Sequence, residues 1–219
     1  MDTPKNYIPA LRFKWLTPIY DPVLKWGMRE ETFKRKLIEQ AQIKPGNRVL
    51  DLGCGTGTLT IMLKQSVPQA YLTGLDGDAE VLAIAQSKAN QAGAEIKWEA
   101  GLSYELPYLD NSFDAVVSCL VTHHLNAADK LRTFQEVLRV LQPGGRFHIA
   151  DFGEPHSTGM WLASLAMRHV EETKDNLDGK LPGMLLKAGF EHVEEVGHLT
   201  SVFGPLTLLR AEKSQTRSR

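Results

Sequence analysis

The stretch from Val49 to Thr60 combines one carboxylate with three closely spaced glycines, between a short apolar run and the apolar pattern of a helix. The apolar run predicts a buried strand, and Asp51 lies at its end. Because Gly53, Gly55 and Gly57 lack a β-carbon, a ligand can lie directly on main-chain N–H groups at the start of the following helix. Strand, glycine turn and helix therefore predict the beginning of a nucleotide-type site, with the Asp51 carboxylate pointing towards the ligand.

The spacing of these glycines differs from the dinucleotide fingerprint Gly-x-Gly-x-x-Gly, because the third glycine comes one residue early and Thr58 occupies its place. The string Val49-Leu-Asp-Leu-Gly-Cys-Gly-Thr-Gly instead resembles the first motif of the class I S-adenosylmethionine-dependent methyltransferases. The resemblance implies S-adenosyl-L-methionine as the cofactor and S-adenosyl-L-homocysteine as the product. In such a site the helix start near Thr56 suits the carboxylate of the cofactor, and Asp51 suits its ammonium group.

A second carboxylate, Asp76, follows the predicted second strand, Tyr71 to Leu75. An acidic residue at this place can accept hydrogen bonds from both hydroxyls of a ribose. The resemblance gives Asp76 the same ribose role and places the neighbouring Gly77 in the cofactor site. Asp78 is most simply the N-cap of the next helix, and we assign it no chemistry.

The stretch from Gly101 to Asp114 resembles a loop of the same family with the pattern Gly-Asp-Ala-x-x-Leu-Pro-Phe-x-Asp-x-Ser-Phe-Asp. Leu102 stands where the family has an aspartate that commonly holds the adenine amino group. A leucine cannot accept that hydrogen bond, so main-chain groups of Leu102 and Ser103, or the Ser103 hydroxyl, have to read the adenine. Cys119, near the end of the next predicted strand, is a candidate for the same pocket, and a core thiol is its alternative interpretation.

Two adjacent histidines, His123 and His124, follow the predicted fourth strand and are candidates for a general base, because an unperturbed imidazole titrates near neutrality. Packing in the wall of the cofactor pocket is the alternative for both, and we rank it above base catalysis. Asp151, at the end of the predicted fifth strand, could orient an acceptor, although a carboxylate at a helix start explains it nearly as well. No metal site is expected, because the two cysteines lack the paired spacing of metal ligands.

The N-terminal part resembles the branch of the family that methylates quinone rings, through Leu16-Thr-Pro-Ile-Tyr-Asp and Lys44-Pro-Gly-Asn-Arg-Val-Leu-Asp. In that branch an N-terminal lid covers the cofactor, which would place Tyr20 near it. Packing of this ring in an aromatic segment is an equally open interpretation. The expected organisation is an N-terminal lid segment and helix over residues 1–42, a class I methyltransferase domain over 43–213 and a flexible tail over 214–219.

Strands and helices must alternate to position these residues, and that alternation predicts an α/β, doubly wound, Rossmann-like parallel sheet with helices on both faces. Ligands of such sheets bind outside the carboxyl ends of the strands, where Asp51, Asp76 and Asp151 all fall. The resemblance implies seven strands, mostly parallel, with one antiparallel strand near the end. Four further expectations concern a helix ended by Pro143-Gly-Gly, a fifth strand over Phe147 to Ala150, a polar loop over Asp175 to Gly179 and a short helix over Leu181 to Ala188.

Composition excludes several classes of protein. The 219 residues suit one domain, and 25 basic against 26 acidic residues give a net charge of −1, which argues against a general nucleic-acid footprint. Two cysteines make no disulfide framework, and no apolar run is long enough to span a membrane, so a cytoplasmic protein is expected.

The sequence thus predicts a methyltransferase that acts on a small molecule, with a hydrophobic one among the candidates, by direct displacement at the methyl group. Peripheral contact with a membrane through a lipid-soluble substrate fits this prediction, and the oligomeric state is left open. Two alternatives stay open as well. One is a nicotinamide-dependent oxidoreductase with Asp76 on the adenine ribose, and the other is a cofactor-binding protein of the same fold without catalysis, which Leu102 keeps in view.

Overall fold

A central sheet of seven strands organises the computed structural model, which describes residues 30–156, 158, 160, 161, 164, 172–201 and 204–215. Tyr20 and the lid segment before residue 30 lie outside the described residues. The strand order is β3-β2-β1-β4-β5-β7-β6. The strands are β1 Arg48–Leu52, β2 Tyr71–Asp76, β3 Lys97–Ala100, β4 Phe113–Cys119, β5 Leu141–Phe152, β6 Glu191–Ser201 and β7 Gly204–Glu212.

Strand direction follows the prediction of a mostly parallel sheet. β1 pairs in parallel with β2 and β4, and the same direction continues to β3 and to β5. β7 alone runs antiparallel to its two neighbours, β5 and β6. The predicted doubly wound sheet with one antiparallel strand is therefore confirmed.

Helices cover both faces of this sheet. Within the described ranges they are α1 Glu30–Ala41, α2 Thr58–Ser66, α3 Ala79–Gln91, a 3₁₀ helix at Thr122–His124, α4 Ala127–Val140, α5 Lys174–Leu177 and α6 Leu181–Ala188. Among them, no helix has both the length and the apolar character needed to cross a bilayer.

Alternation along β1 divides the core into two layers. Val49 belongs to one buried cluster together with Phe33 and Leu37 of α1, whereas Leu50 and Leu52 belong to the cluster on the opposite face. Successive side chains of a strand point to opposite faces, so a strand covered by helices on both sides is apolar throughout. The same alternation puts Asp51 on the face of Val49, which decides where its carboxylate lies.

Two predicted elements differ in the structure. α4 ends at Val140, and β5 begins at once with Leu141, so Pro143-Gly-Gly lies within the strand instead of ending a helix. Leu141 pairs with Phe113, and a register shift separates this pair from the regular ladder that starts at Arg146. The polar loop expected over Asp175 to Gly179 overlaps α5, a single helical turn at Lys174–Leu177. The short helix predicted over Leu181 to Ala188 is confirmed as α6.

Candidate cofactor site

A cavity of about 320 Å³ opens at the carboxyl ends of β1, β2 and β4, within the size range of small-molecule sites. Most of the predicted cofactor residues line it, namely Gly53, Gly55, Thr56, Asp76, Gly77, Leu102, Ser103 and Cys119, and His124 lies in the same wall. Asp51, Gly57, His123 and Asp151 are not among its lining residues. The sheet thus brings all the candidates to one edge. Some of them line the cavity, and the others lie behind its wall.

The glycines of the turn have different structural roles. All three have positive φ, which is strained for residues with a β-carbon. A β-carbon on Gly57 would lie 2.5 Å from the Trp98 ring, so this glycine serves packing behind the turn. A β-carbon on Gly55 would have no atom within 4 Å, because this side of the turn faces the opening. In the part of the chain that the structure describes, nothing therefore obstructs the approach of a ligand to the turn at Gly55.

Asp76 lies in the cavity wall with its carboxylate fixed by main-chain donors. Gly55 N donates to Oδ2 at 2.9 Å, and Asp78 N donates to Oδ1 at 3.0 Å. Burial raises the pKa of Asp76, and the main-chain donors partly oppose that rise. Each carboxylate oxygen has a further lone pair, so the side chain can accept two more hydrogen bonds without giving up those of the turn.

Asp78 serves as the expected helix cap, because its Oδ1 accepts from the N–H groups of Glu80 and Val81.

Lys88 contributes a cation that the sequence analysis missed. Its Nζ lies 3.0 Å from the Thr56 hydroxyl and 2.9 Å from the Thr58 hydroxyl, although it belongs to α3. A lysine in the last turn of a helix is ordinarily explained by the helix dipole, so no local pattern directs attention to the glycine turn. The structure places a positive charge beside the start of α2, where an anionic group also meets main-chain N–H groups.

Asp51 does not point into the cavity as predicted. It is 2% exposed, and Thr60 Oγ1 donates to its Oδ2 at 2.6 Å. The alternation of β1 explains this placement, because the side chain follows Val49 onto the face covered by α2. Burial raises the pKa of Asp51 to about 6, and the Thr60 hydrogen bond only partly opposes that rise.

Replacing Asp51 with asparagine should stabilise the protein at neutral pH. The raised pKa means that the native state favours the protonated carboxyl, so its stabilising contribution is complete below about pH 4 and is lost as pH rises through about 6. The variant should gain up to about 3 kcal/mol in unfolding free energy at pH 7, and this gain should vanish at pH 4. Urea titrations at both pH values measure it, with Asp114→Asn as the control, and a destabilised Asp51→Asn at pH 7 contradicts it.

Asp151 anchors a buried network behind the cavity. Its Oδ2 accepts from Val121 N, Thr122 N and the Thr122 hydroxyl, and its Oδ1 lies 2.7 Å from Nδ1 of His123 and accepts from Phe152 N. The charge and hydrogen bonds of His123, with the Thr122 hydroxyl and the main-chain donor, outweigh burial and lower the pKa of Asp151 to about 2. Asp151 and His123 therefore hold the 3₁₀ helix in place, and the predicted contact of Asp151 with an acceptor is not what the geometry shows.

The 3₁₀ helix brings only one of the two histidines to the cavity. The ring of His124 lies 4.0 Å from that of His123, centroid to centroid, and His124 lines the cavity. Lys130 of α4 fixes the neighbouring segment, since its fully buried Nζ donates to the Glu172 carbonyl at 2.7 Å. Glu172 N in turn donates to the His123 carbonyl at 3.1 Å. Of the pair, His124 is the side chain that an acceptor can meet.

The loop after β3 forms another part of the cavity wall. Arg139 of α4 holds it, because its guanidinium donates to the carbonyls of Leu106 and Tyr108, while Leu106 N donates to Glu136. Leu102 and Ser103 line the cavity as expected. The Ser103 hydroxyl, however, lies 3.0 Å from the Thr133 hydroxyl and shares a hydrogen bond with it.

The sheet order, the glycine turn after β1 and the carboxylate after β2 define a protein of the class I methyltransferase fold with a nucleotide-type cofactor site. Residues 49–145 match a family model described as a methyltransferase domain. An uncharacterized methyltransferase of Synechocystis sp. is 32% identical over 190 residues, which cover 85% of each chain. This chain belongs to the S-adenosylmethionine-dependent methyltransferase family.

Two further comparisons agree with this assignment. The demethylmenaquinone methyltransferase of Thermus thermophilus is 36% identical over 146 residues, and the match spans 65% of this chain and 65% of that relative. A solved S-adenosylmethionine-dependent methyltransferase from Methanosarcina mazei shares the fold, with a TM-score of 0.67, 20% identity and coverage of 82% of this chain and 98% of that one. The nicotinamide alternative is not favoured, because the family model and these relatives are methyltransferases.

Proposed function

We propose that the protein transfers the methyl group of S-adenosyl-L-methionine to a small hydrophobic acceptor. The observation that carries this proposal is the Asp76 carboxylate, which lines a cavity next to a glycine turn and keeps lone pairs for a ribose diol. The open side of Gly55 and the cation of Lys88 fit the amino-acid end of the cofactor. Main-chain groups at Leu102 and Ser103 would meet the adenine.

The chemistry asks little of the protein beyond placement. The sulfonium of the cofactor supplies an electrophilic methyl group, and the residues of the chain have to align the acceptor and exclude water. Alignment of two reactants can lower a barrier by about 7 to 11 kcal/mol. A general base is needed only where the acceptor carries a proton that must leave.

The acceptor end of the cavity combines apolar side chains with one imidazole. Leu120, Val121 and Leu125 line the cavity beside His124. The name of the Thermus relative points to a demethylated menaquinone as its substrate, so we propose a reduced quinone-like ring as the acceptor here. In this proposal His124 contacts the ring or its hydroxyl, His123 and Asp151 position His124, and the N-terminal segment with Tyr20 acts as a lid. Cytoplasmic placement fits as well, because Cys54 and Cys119 form no disulfide.

Methyl transfer to a short-chain reduced naphthoquinone with labelled S-adenosylmethionine tests the function. We expect labelled product with the wild type, and a drop of about 100-fold or more in kcat with His124→Ala if its imidazole takes a proton. S-adenosylhomocysteine binding should survive that substitution. His192→Ala, an exposed histidine of β6, is the control and should match the wild type. No binding of S-adenosylhomocysteine by the native protein contradicts the proposed function altogether.

A second candidate function is cofactor binding without transfer, and the Ser103 geometry favours it. With its hydroxyl already bonded to Thr133 and a leucine at position 102, the adenine pocket offers fewer side-chain acceptors than the family loop. Labelled cofactor and a cell extract separate the two functions. Tight binding with no labelled product in any fraction favours the binding protein, whereas a labelled small molecule favours the enzyme.

A further inference from the structure

Three side chains that do not line the cavity converge elsewhere on the surface. Nε2 of His156 lies 3.3 Å from Oε1 of Glu195, and Nδ1 of His198 lies 3.6 Å from the same oxygen. One ligand atom of each residue lies within 4.8 Å of the other two. The rings of the two histidines face each other, with centroids 4.4 Å apart. All three residues are accessible to solvent and therefore to an ion from solution.

A bulge in β6 brings two of these residues to one face. Residues three apart in a regular strand point to opposite faces of the sheet. The register between β6 and β7 shifts between Glu195 and Gly197, since Glu195 is paired with Leu209 and Gly197 with Leu208. The extra residue, Val196, reverses the alternation, so Glu195 and His198 share a face. Bulges at sheet edges commonly re-aim side chains in this way.

His156 completes the group from another strand. It follows the end of β5 by a few residues, whereas Glu195 and His198 belong to β6 at the edge of the sheet. β7 lies between those two strands, so the cluster spans it. The sequence analysis expected no metal site on the spacing of the two cysteines alone, and it did not consider this group, because His156 is distant in the sequence from Glu195 and His198.

Two of the three separations are close to those between ligands of a single metal ion, and the third, between the two imidazole nitrogens, is no more than 4.8 Å. Zinc binds imidazole nitrogen and carboxylate oxygen at about 2.0–2.2 Å, so two ligands of a tetrahedral zinc lie about 3.4 Å apart. Both nitrogen to oxygen separations are close to this value, and 3.6 Å is too long for a good hydrogen bond. Two imidazoles and one carboxylate form a donor set that suits zinc better than magnesium or calcium.

We propose that His156, Glu195 and His198 bind a zinc ion, with a water molecule in the fourth position. A bound ion would link the segment after β5 to the edge strand β6. Because the side chains are exposed and come from two separate segments, the site should exchange its metal with solution. No residue of the cluster lines the cofactor cavity, so zinc and S-adenosylhomocysteine should bind independently.

Isothermal titration of the untagged, metal-free protein with Zn²⁺ tests the site. We expect one equivalent to bind, and Co²⁺ in its place should give the intense visible absorption of tetrahedral coordination. Loss of residues that merely orient metal ligands costs about 10- to 100-fold in affinity, so loss of a ligand should reach at least the upper end of that range. His156→Ala, Glu195→Gln and His198→Ala should each weaken binding by about 100-fold or more.

His192→Ala provides the matched control, because His192 is an exposed histidine of the same strand outside the cluster. It should bind zinc like the wild type, and all variants should keep the wild-type unfolding temperature and affinity for S-adenosylhomocysteine. A variant that carries all three substitutions, His156→Ala, Glu195→Gln and His198→Ala, sets the background. Wild-type binding no tighter than that of this variant overturns the proposal, since Cys54, Cys119 or other groups would then hold the ion. An equal loss in His192→Ala overturns it too.

Discussion

Replacing Asp76 with alanine is expected to weaken S-adenosylhomocysteine binding by about 100- to 10,000-fold. In the proposed complex the substitution would remove two charge-assisted hydrogen bonds to the ribose, each contributing about 1.5–3 kcal/mol. It also removes the acceptor for Gly55 N and Asp78 N, so the glycine turn loses a support on the cavity side. Titration calorimetry of the purified variant measures the change in affinity.

Asp78→Ala separates the ribose role from a general effect on this region. Asp78 is two residues away and caps α3, so its loss should lower the unfolding free energy by about 1 kcal/mol and leave the affinity close to that of the wild type. Undiminished binding by Asp76→Ala, or an equal loss in both variants, contradicts the assignment of the ribose to Asp76.

Replacing Asp151 with asparagine is expected to lower the unfolding free energy at pH 7 by about 3–5 kcal/mol. Asp151 is 1% exposed and accepts hydrogen bonds from the main-chain N–H groups of Val121, Thr122 and Phe152. The NH₂ group of an asparagine would face some of these N–H groups, and two donors cannot form a hydrogen bond with each other. Urea unfolding measures the loss. Asp110→Asn is the control, because this carboxylate pairs with Arg139 at the surface and should change stability by no more than about 0.5 kcal/mol.

The lowered pKa of Asp151 also predicts that the protein loses stability at acid pH. Its pKa is about 2 in the native state and near 3.8 when unfolded, so it stabilises the protein above about pH 4 by roughly 2 kcal/mol. That contribution is lost as pH falls from about 4 to 2. Wild type should therefore lose stability more steeply than Asp151→Asn over this interval, and parallel curves would contradict the role given to Asp151.

Local chemistry made much of the fold predictable. The apolar run before Asp51, the glycines after it and the cap at Asp78 each follow from one short pattern, and the doubly wound parallel sheet follows from the alternation of strands and helices. The start of β5 did not follow, because Pro143-Gly-Gly is typical of a helix end, and only pairing with β4 makes Leu141 a strand residue. The single turn at Lys174–Leu177 is too short for a period to be visible in the sequence.

Site residues were predictable where the position of the main chain brings them to the cavity. They were less predictable where the direction of the side chain decides whether they reach it. Asp76 follows from its place after β2. The prediction that the Asp51 carboxylate points towards the ligand was wrong, because the alternation of β1 turns this side chain towards Thr60 and away from the cavity. Lys88 was missed because α3 reaches the glycine turn only in the folded chain. The functional roles of the site residues stay predictions until binding is measured.

The position of β7 has a consequence for biogenesis. This strand is translated after β6 yet inserts between β6 and β5, so the edge of β5 stays without its partner until β7 has left the ribosome. A nascent chain that has released β1 to β6 can assemble the parallel half of the sheet but leaves the main-chain N–H and C=O groups on that edge of β5 unpaired. Unpaired edges of this kind attract other chains, so we expect the nascent protein to bind chaperones at this stage of synthesis. That binding should end when β7 pairs with β5.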